Sequence, residues 1–182
     1  MGRARAALGS LVFFFVAPGV VAGVVPWWLT RWESGASSAA WLPVRVVGLV
    51  LLVVAVLVLV AAFARFAMEG RGTPAPVAPT DRLVVGGSYR YVRNPMYVAV
   101  VSCIVGQSML LVRPVLLGYA VVVFVTVATF VRVYEEPTLH AQFGPDYDEY
   151  RRAVPGWIPR LHPWTPAGNG ETGEGRKGAS RD

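Results

Sequence analysis

A dense group of charged, polar and aromatic side chains interrupts the apolar sequence at positions 86–97. It contains two arginines, an asparagine, a proline and three tyrosines, and it leads directly into an apolar run. Two acids, Glu135 and Glu136, follow the last apolar run of the chain. Guanidinium groups bind carboxylates and phosphates through paired hydrogen bonds, and carboxylates bind cations. Because crossing a bilayer needs neither group, we interpret the two segments as halves of one site for a charged ligand.

Arg93 is the stronger candidate for the cationic half of this site. Pro95 fits the first turn of a helix and biases Asn94 towards an extended backbone, so Arg93 should lie at the mouth of a helical bundle. Arg90 has a competing interpretation as a topology signal at the membrane surface.

Glu135 and Glu136 are the sharper signal, because the end of a helix dipole disfavours negative charge there. A competing interpretation is an ion pair from Arg132 to Glu136 at four-residue spacing, which would contribute only about 0.3–0.5 kcal/mol. Adjacent helical residues point about 100° apart. We therefore expect one acid to face the bundle mouth, where it meets Arg93 or a cationic ligand, and the other to face elsewhere.

The remaining reactive side chains give weaker indications. Tyr89, Tyr91 and Tyr97 fit membrane-interface anchors and ligand contacts equally well. His140 is expected at the surface, with a role as a general base as the alternative. The chain has 1 cysteine and 2 histidines, so a zinc or iron centre held by the protein is not expected.

The composition indicates what must position these residues. Of the 182 residues, 54% are hydrophobic and only 15% are charged, which is typical of an integral membrane protein with a single domain. The net charge of +6 comes from basic residues between the apolar runs. There they favour contacts with lipid headgroups over binding of nucleic acid.

The length of the apolar runs predicts an all-α, polytopic membrane helical bundle of about four transmembrane helices. The expected spans are residues 11–29, 46–64, 96–112 and 115–131. A signal peptide is the alternative for the first run. Gly19 and Gly23, and likewise Ser102 and Gly106, have the four-residue spacing of closely packed helices. Arg113 and Pro114 predict a tight reversal between the third and fourth runs.

Short interfacial helices should follow the fourth span. A segment from Thr138 to Phe143 ends at Gly144-Pro145, and a helix over 146–153 places Tyr147, Tyr150 and Val154 on one face. We expect one domain over residues 1–165, a mobile proline-rich loop at 70–79 and a disordered tail at 166–182. Trp27, Trp28, Trp32 and Trp41 predict an aromatic belt at one interface.

The distribution of arginine predicts the orientation. The N-terminus, the central connection and the segment after the fourth run are rich in Arg, so both termini and the central loop should be cytoplasmic. The preference for Arg over Lys suggests a bacterial cytoplasmic membrane.

Several of these segments together resemble the isoprenylcysteine carboxyl methyltransferase and phospholipid methyltransferase superfamily. In that family an Arg-His-Pro-x-Tyr element opens a membrane helix, and a helical hairpin, Glu-Glu, a Phe-Gly-x-x-Tyr-x-x-Tyr element and a proline-containing close follow. The corresponding segments here are Arg93-Asn94-Pro95-Met96-Tyr97, Glu135-Glu136, Phe143-Gly144-Pro145-Asp146-Tyr147-Asp148-Glu149-Tyr150 and Val154-Pro155 to Pro159. Order and spacing match from about Leu83 to Pro159, which is the motif-bearing part of the chain (83–159).

The resemblance implies S-adenosyl-L-methionine as methyl donor and a lipidic or hydrophobic acceptor, either a membrane lipid or a small thiol, amine or quinone-like molecule. It implies Arg93, Asn94 and Glu136 as catalytic residues. The implied donor-binding residues are Tyr89, Arg90, Arg93, Pro95, Tyr97, Glu135 and Glu136. Asn94 departs from the family's His and cannot act as a base near neutral pH. A non-catalytic membrane protein that binds a lipid or a partner is therefore the alternative.

Overall fold

The computed structural model of the chain describes residues 16–69, 83 and 85–165, with the side chains of 65–69 left out. Within these ranges the chain forms helices and loops and no strand, as the all-α prediction requires. The basic N-terminal segment, the proline-rich loop at 70–79 and the predicted tail at 166–182 lie outside the described residues.

Six α-helices make up the described fold. In chain order they are α1 (Val16–Thr30), α2 (Leu42–Glu69), α3 (Pro95–Leu111), α4 (Val115–Phe130), α5 (Glu136–Phe143) and α6 (Pro145–Ala153). Within α1, residues Val20–Val24 form a π-helical turn. A second π-helical turn, Val131–Glu135, joins α4 to α5 without a break, and single 3₁₀ turns occur at Ala39–Trp41 and Gly87–Arg90.

Two helical stretches are long and apolar enough to cross a membrane, Ala39–Ala64 and Val115–Phe143. Helices α1 and α3 are apolar but shorter. The lengths thus support two of the four predicted spans, one being α2 and the other α4 with its continuation. Large apolar side chains on α2, including Val53 and Leu57, are half or more exposed, as expected for a surface that faces lipid.

The core of the bundle lies where α3 packs between its neighbours. α3 and α4 form the predicted hairpin, because Val112 adopts a left-handed backbone (φ 53°) and Pro114 caps the start of the next helix. Ile104 and Leu116 are fully buried between them. α3 also lies against α2 along much of its length.

Close approach of α2 and α3 depends on two glycines. A Cβ on Gly106 would lie 2.9 Å from the backbone nitrogen of Leu52, and one on Gly48 would lie 2.8 Å from the carbonyl oxygen of Gly106. The expectation for Gly19 and Gly23 is wrong, since no described atom lies within 4 Å of a Cβ at either position. Small residues at four-residue spacing share one face of a helix, but the spacing does not show whether that face packs against a neighbouring helix.

The loop between α1 and α2 covers the end of the bundle where α3 turns into α4. The Arg113 Nε donates to the carbonyl oxygen of Glu33 at 3.0 Å, and the amide of Gly35 donates to that of Leu111 at 2.8 Å. The four tryptophans of the predicted belt lie in or beside this loop, and all are substantially exposed: Trp27, Trp28, Trp32 and Trp41.

The C-terminal helices fold back onto the opposite end of the bundle. α5 ends at Gly144, whose φ is 52°, and α6 begins at Pro145, so the two short helices form as the sequence predicts. Tyr147, Tyr150 and Val154 are buried, which confirms the predicted face. The following segment, residues 154–165, runs back along the polar stretch that precedes α3.

Candidate active site

The start of α3 and the end of α4 meet at one end of the bundle because the two helices form an antiparallel hairpin. This brings Arg93 and Glu136, 43 residues apart, into an ion pair with Nη1 and Oε1 separated by 3.0 Å. Each side chain is only 14% exposed. Partial burial strengthens the attraction relative to that of a surface pair.

Further contacts fix the Arg93 guanidinium. Its Nε donates to the carbonyl oxygen of Val154 at 3.0 Å, and Nη1 also donates to the hydroxyl of Tyr147 at 3.1 Å. The backbone amide of Arg93 donates to the carbonyl oxygen of Pro155 at 2.9 Å. A planar guanidinium held at several nitrogens keeps one orientation, which suits recognition of a planar anion.

Glu136 has a second cationic partner, which the sequence did not indicate. The Arg151 Nη2 on α6 lies 3.2 Å from its Oε2. The competing interpretation, in which Glu136 pairs with Arg132 one turn earlier, is wrong. Arg132 lies within the π-helical turn and Glu136 directly follows it. The amide of Glu136 bonds five residues back to Val131, so the ordinary four-residue spacing does not apply.

The same turn brings both acids to one place. The hydroxyl of Tyr97 donates to Glu135 Oε2 at 3.2 Å, and Glu135 and Glu136 line the same cleft. The expectation that only one acid faces the bundle mouth is therefore wrong. It assumed the angular spacing of an α-helix, whereas the chain is more loosely wound between Val131 and Glu135.

The cleft is small and mixed in character. Its volume is about 30 Å³, room for about one water molecule. The lining residues are Arg93, Asn94, Val131, Glu135, Glu136, Leu139, Tyr147 and Tyr150. Opposite charges thus face each other beside apolar and phenolic surface.

Asn94 and Pro95 shape the entry to α3. The Asn94 Nδ2 donates to the carbonyl oxygen of Gly156 at 3.1 Å, and the side chain is buried. Pro95 is the first residue of α3 and is also buried. The amide of Asn94 therefore holds the C-terminal segment against the site.

Tyr89 and Arg90 are not among the residues that line the cleft. The Arg90 Nε donates to the carbonyl oxygen of Trp164 at 2.6 Å, and its Nη2 donates to the hydroxyl of Thr165 at 2.7 Å. Tyr89 packs against Ala62, and its carbonyl oxygen accepts a bond from the Tyr150 hydroxyl at 2.7 Å. These contacts attach the C-terminal segment to the bundle, and a donor-binding role for either residue stays a prediction.

Three residues at the site were not identified as such from the sequence: Tyr147, Arg151 and Gly156. The spacing on α6 indicated that Tyr147 is buried, but not that its hydroxyl reaches Arg93. Burial raises the pKa of Tyr147 while the Arg93 charge acts against it. Gly156 lies so close that a Cβ there would be 3.2 Å from Arg93 Nη2.

His140 lies on the outside of α5. It is exposed, as expected, and its Nδ1 lies 3.0 Å from Asp148 Oδ1. His140 is not among the residues that line the cleft.

The described residues thus form an apolar helical bundle with a charged cleft at one end. The family model described as phospholipid methyltransferase matches residues 44–146, more than half of the chain. The chain belongs to the phospholipid methyltransferase family, and this membership identifies it as a membrane methyltransferase. No curated protein and no solved structure shows a significant match to it.

The matched range runs from α2 into the first turn of α6. It includes Arg93, Glu135 and Glu136, whereas Tyr147 and Gly156 lie beyond it. The cleft is therefore lined by residues of the matched range together with residues of the segment that follows it.

Proposed function

We propose that the protein transfers a methyl group from S-adenosyl-L-methionine to a lipidic or small hydrophobic acceptor at the cytoplasmic face of the membrane. The observation that carries the proposal is the partly buried ion pair of Arg93 and Glu136, 3.0 Å apart, in a cleft between the start of α3 and the end of α4. Family membership supplies the reaction class.

The charges in the cleft fit the amino-acid end of this donor, which carries one ammonium and one carboxylate group. Arg93 would bind the carboxylate through its planar fork, and Glu136 would bind the ammonium. Arg93 and Glu136 pair with each other, and Glu136 also pairs with Arg151. A zwitterion would therefore replace the Arg93–Glu136 pair with one ion pair to each of the two residues. A cleft of about 30 Å³ is far smaller than the donor, so these side chains must separate when it binds.

Glu135 has a different environment from Glu136. Among the described residues it forms no ion pair, and the hydroxyl of Tyr97 donates to it at 3.2 Å. A carboxylate held in this way is suited to stabilise positive charge in the cleft. The bound donor supplies an electrophilic methyl group on a sulfonium sulfur, so the protein's part is alignment and electrostatic stabilisation.

The setting of the cleft supports an acceptor that arrives from the bilayer. The site lies at the end of apolar helices, and apolar side chains nearby, such as Tyr134 and Val133, are exposed. Exposed arginines on the same end, Arg151 and Arg152, are positioned to contact anionic headgroups. This clustering of positive charge supports a cytoplasmic location of the site.

Binding of the donor tests the proposal directly. We expect purified protein in detergent to bind S-adenosyl-L-methionine by calorimetry, and Arg93→Ala or Glu136→Gln to weaken this binding more than tenfold. The exposed neighbours on α6 provide matched controls, Arg152→Ala and Glu149→Gln, which should bind as the wild type does. Normal binding by both site variants would show that the site assignment is wrong.

Incubation with donor labelled in its methyl group and a total lipid extract identifies the acceptor. We expect label in a lipid or another hydrophobic molecule, and mass spectrometry of the product shows whether oxygen, nitrogen or sulfur is methylated. If the protein neither binds the donor nor incorporates label into any product, the alternative of a non-catalytic membrane protein that binds a lipid or a partner is favoured.

A further inference from the structure

A second cavity lies at the other end of α3, close to the loop that carries the tryptophans. Its volume is about 380 Å³, within the range of roughly 300–1,000 Å³ typical of small-molecule sites. Its lining residues come from α1, the following loop, α2 and α3: Ala22, Trp32, Leu52, Gln107, Leu110 and Leu111. From Tyr97 to Gln107 the helix rises about 15 Å, so this cavity is separate from the charged cleft.

Gln107 is the single amide side chain in this otherwise hydrophobic lining. Its Nε2 donates to the carbonyl oxygen of Ala22 at 2.7 Å and to that of Cys103 at 3.3 Å, which uses both of its N–H groups. The Oε1 has no hydrogen-bond partner among the described residues. The buried amide therefore offers a hydrogen-bond acceptor in an apolar site.

The backbone that presents Trp32 to this cavity is strained. Arg31 and Trp32 both adopt left-handed conformations, with φ values of 52° and 57°, which are uncommon for residues other than glycine. The Thr30 hydroxyl holds the turn by accepting from the amide of Trp32 at 3.2 Å and donating to the carbonyl oxygen of Pro26 at 2.7 Å. Strain of this kind is concentrated at sites that clamp ligands.

The surroundings indicate what fills the cavity. Leu49 and Val53, which flank Leu52 on α2, are about half exposed on the apolar surface of the bundle. Water is a poor occupant of an apolar cavity, and an empty one forfeits dispersion contacts. Lipid hydrocarbon is as apolar as leucine and is the solvent at this surface.

We propose that this cavity binds a long-chain alcohol, whose hydrocarbon chain lies between α1, α2 and α3 and whose hydroxyl donates to Gln107 Oε1. The apolar walls select the chain, and the acceptor selects a molecule with a hydrogen-bond donor. The proposal does not depend on the methyl-transfer reaction at the other end of α3.

Photolabelling in phosphatidylcholine vesicles tests this site. The probe is a long-chain alcohol with a diazirine in its chain, and peptide mapping locates the label. We expect labelling at Leu52, Leu110 or Leu111. Excess unlabelled alcohol should reduce this labelling more than tenfold. The methyl ether of equal length should compete at least fivefold less effectively than the alcohol. Label spread evenly over lipid-facing residues such as Val53 and Leu57 would overturn the proposal.

Two variants separate the walls from the amide. Ala22→Phe fills the cavity and should lower labelling at least fivefold, whereas Val24→Phe, on an exposed part of the same helix, should leave it unchanged. Gln107→Leu should make the alcohol and the ether compete equally. If Ala22→Phe labels as the wild type does, or if Gln107→Leu keeps the preference for the alcohol, the site is wrong. Should a variant not fold, competition on the wild type alone decides.

Discussion

Arg93 connects three separate segments of the chain through one side chain. Its guanidinium bonds to Glu136 after α4, to Tyr147 on α6 and to the carbonyl oxygen of Val154. Arg93→Lys keeps the charge but cannot reproduce this planar set of bonds. We expect donor binding to be lost, and stability to fall by about 1–3 kcal/mol because buried acceptors lose their donor. Calorimetry and thermal unfolding measure the two effects, and Arg152→Lys serves as the exposed control.

Gly156 lies against the guanidinium of Arg93. A Cβ there would be 3.2 Å from Nη2 and 3.6 Å from Asn94 Nδ2, both on side chains that line the cleft. We expect Gly156→Ala to displace Arg93 and weaken donor binding about tenfold, equivalent to about 1.4 kcal/mol. Titration calorimetry measures this change. Gly118→Ala, where no described atom lies within 4 Å, should bind normally, and equal binding by both variants would contradict this account.

At the residue scale, the sequence indicated which charged residues form the site better than it indicated how the other side chains are arranged around them. Arg93 could be chosen because Pro95 places it at the entry to a helix, and Glu136 because the helix dipole disfavours an acid at that end. The contributions of Tyr147 and Gly156 depend on how residues 145–156 fold back, which is a tertiary contact without a local pattern. A tyrosine hydroxyl aimed at a site and one aimed at solvent look the same in a sequence.

At the scale of helices, the π-helical turn after α4 determines which side chains face the cleft. Residues Val131–Glu135 read in the sequence as an ordinary continuation of the helix, so nothing there revealed the looser winding. Its consequence is that two adjacent acids, Glu135 and Glu136, share one cleft. π-helical turns are frequent at functional sites, and here the turn accounts for the pairing of acids.

The crossing of α2 and α3 gives the element-scale prediction. A Cβ on Gly106 would meet backbone atoms of α2, Leu52 N at 2.9 Å and Gly48 O at 3.0 Å, and backbone cannot rotate away as a side chain can. We expect Gly106→Ala to destabilise the protein by about 1–3 kcal/mol through overpacking. Thermal unfolding in detergent micelles measures the loss. Gly23→Ala, with open space around it, should not lower the midpoint, and similar midpoints for the two variants would show that the crossing is loose.

At the scale of the whole molecule, the positions of many helices follow from the length of the apolar runs and from the proline and glycine residues between them. Pro95, Pro114 and Gly144 mark helix boundaries in the sequence, and the structure begins or ends helices at or next to each of them. The hairpin of α3 and α4 was predicted, but the packing of α3 against α2 was not, because residues such as Leu and Val fit lipid and protein surfaces equally well.

Orientation in the bilayer gives the last prediction. The charged cleft and the tryptophan-bearing loop lie at opposite ends of α3, and the arginine distribution predicts that the cleft is cytoplasmic. The single cysteine, Cys103, is buried, so Cys103→Ala provides a background without reactive thiols. Thr138→Cys on α5 and Ser37→Cys in the loop then place one exposed thiol at each end.

A membrane-impermeant maleimide should label Thr138→Cys only in inside-out vesicles and Ser37→Cys only in right-side-out vesicles. Labelling of both positions in the same vesicles would mean that the chain crosses the bilayer an even number of times between them, which would exclude the three crossings by α2, α3 and α4. The reversed pattern would keep the spans but place the cleft outside the cell, where a cytoplasmic donor could not reach Arg93 and Glu136. The same two variants therefore test whether the number of crossings between them is odd and on which side of the membrane the cleft lies.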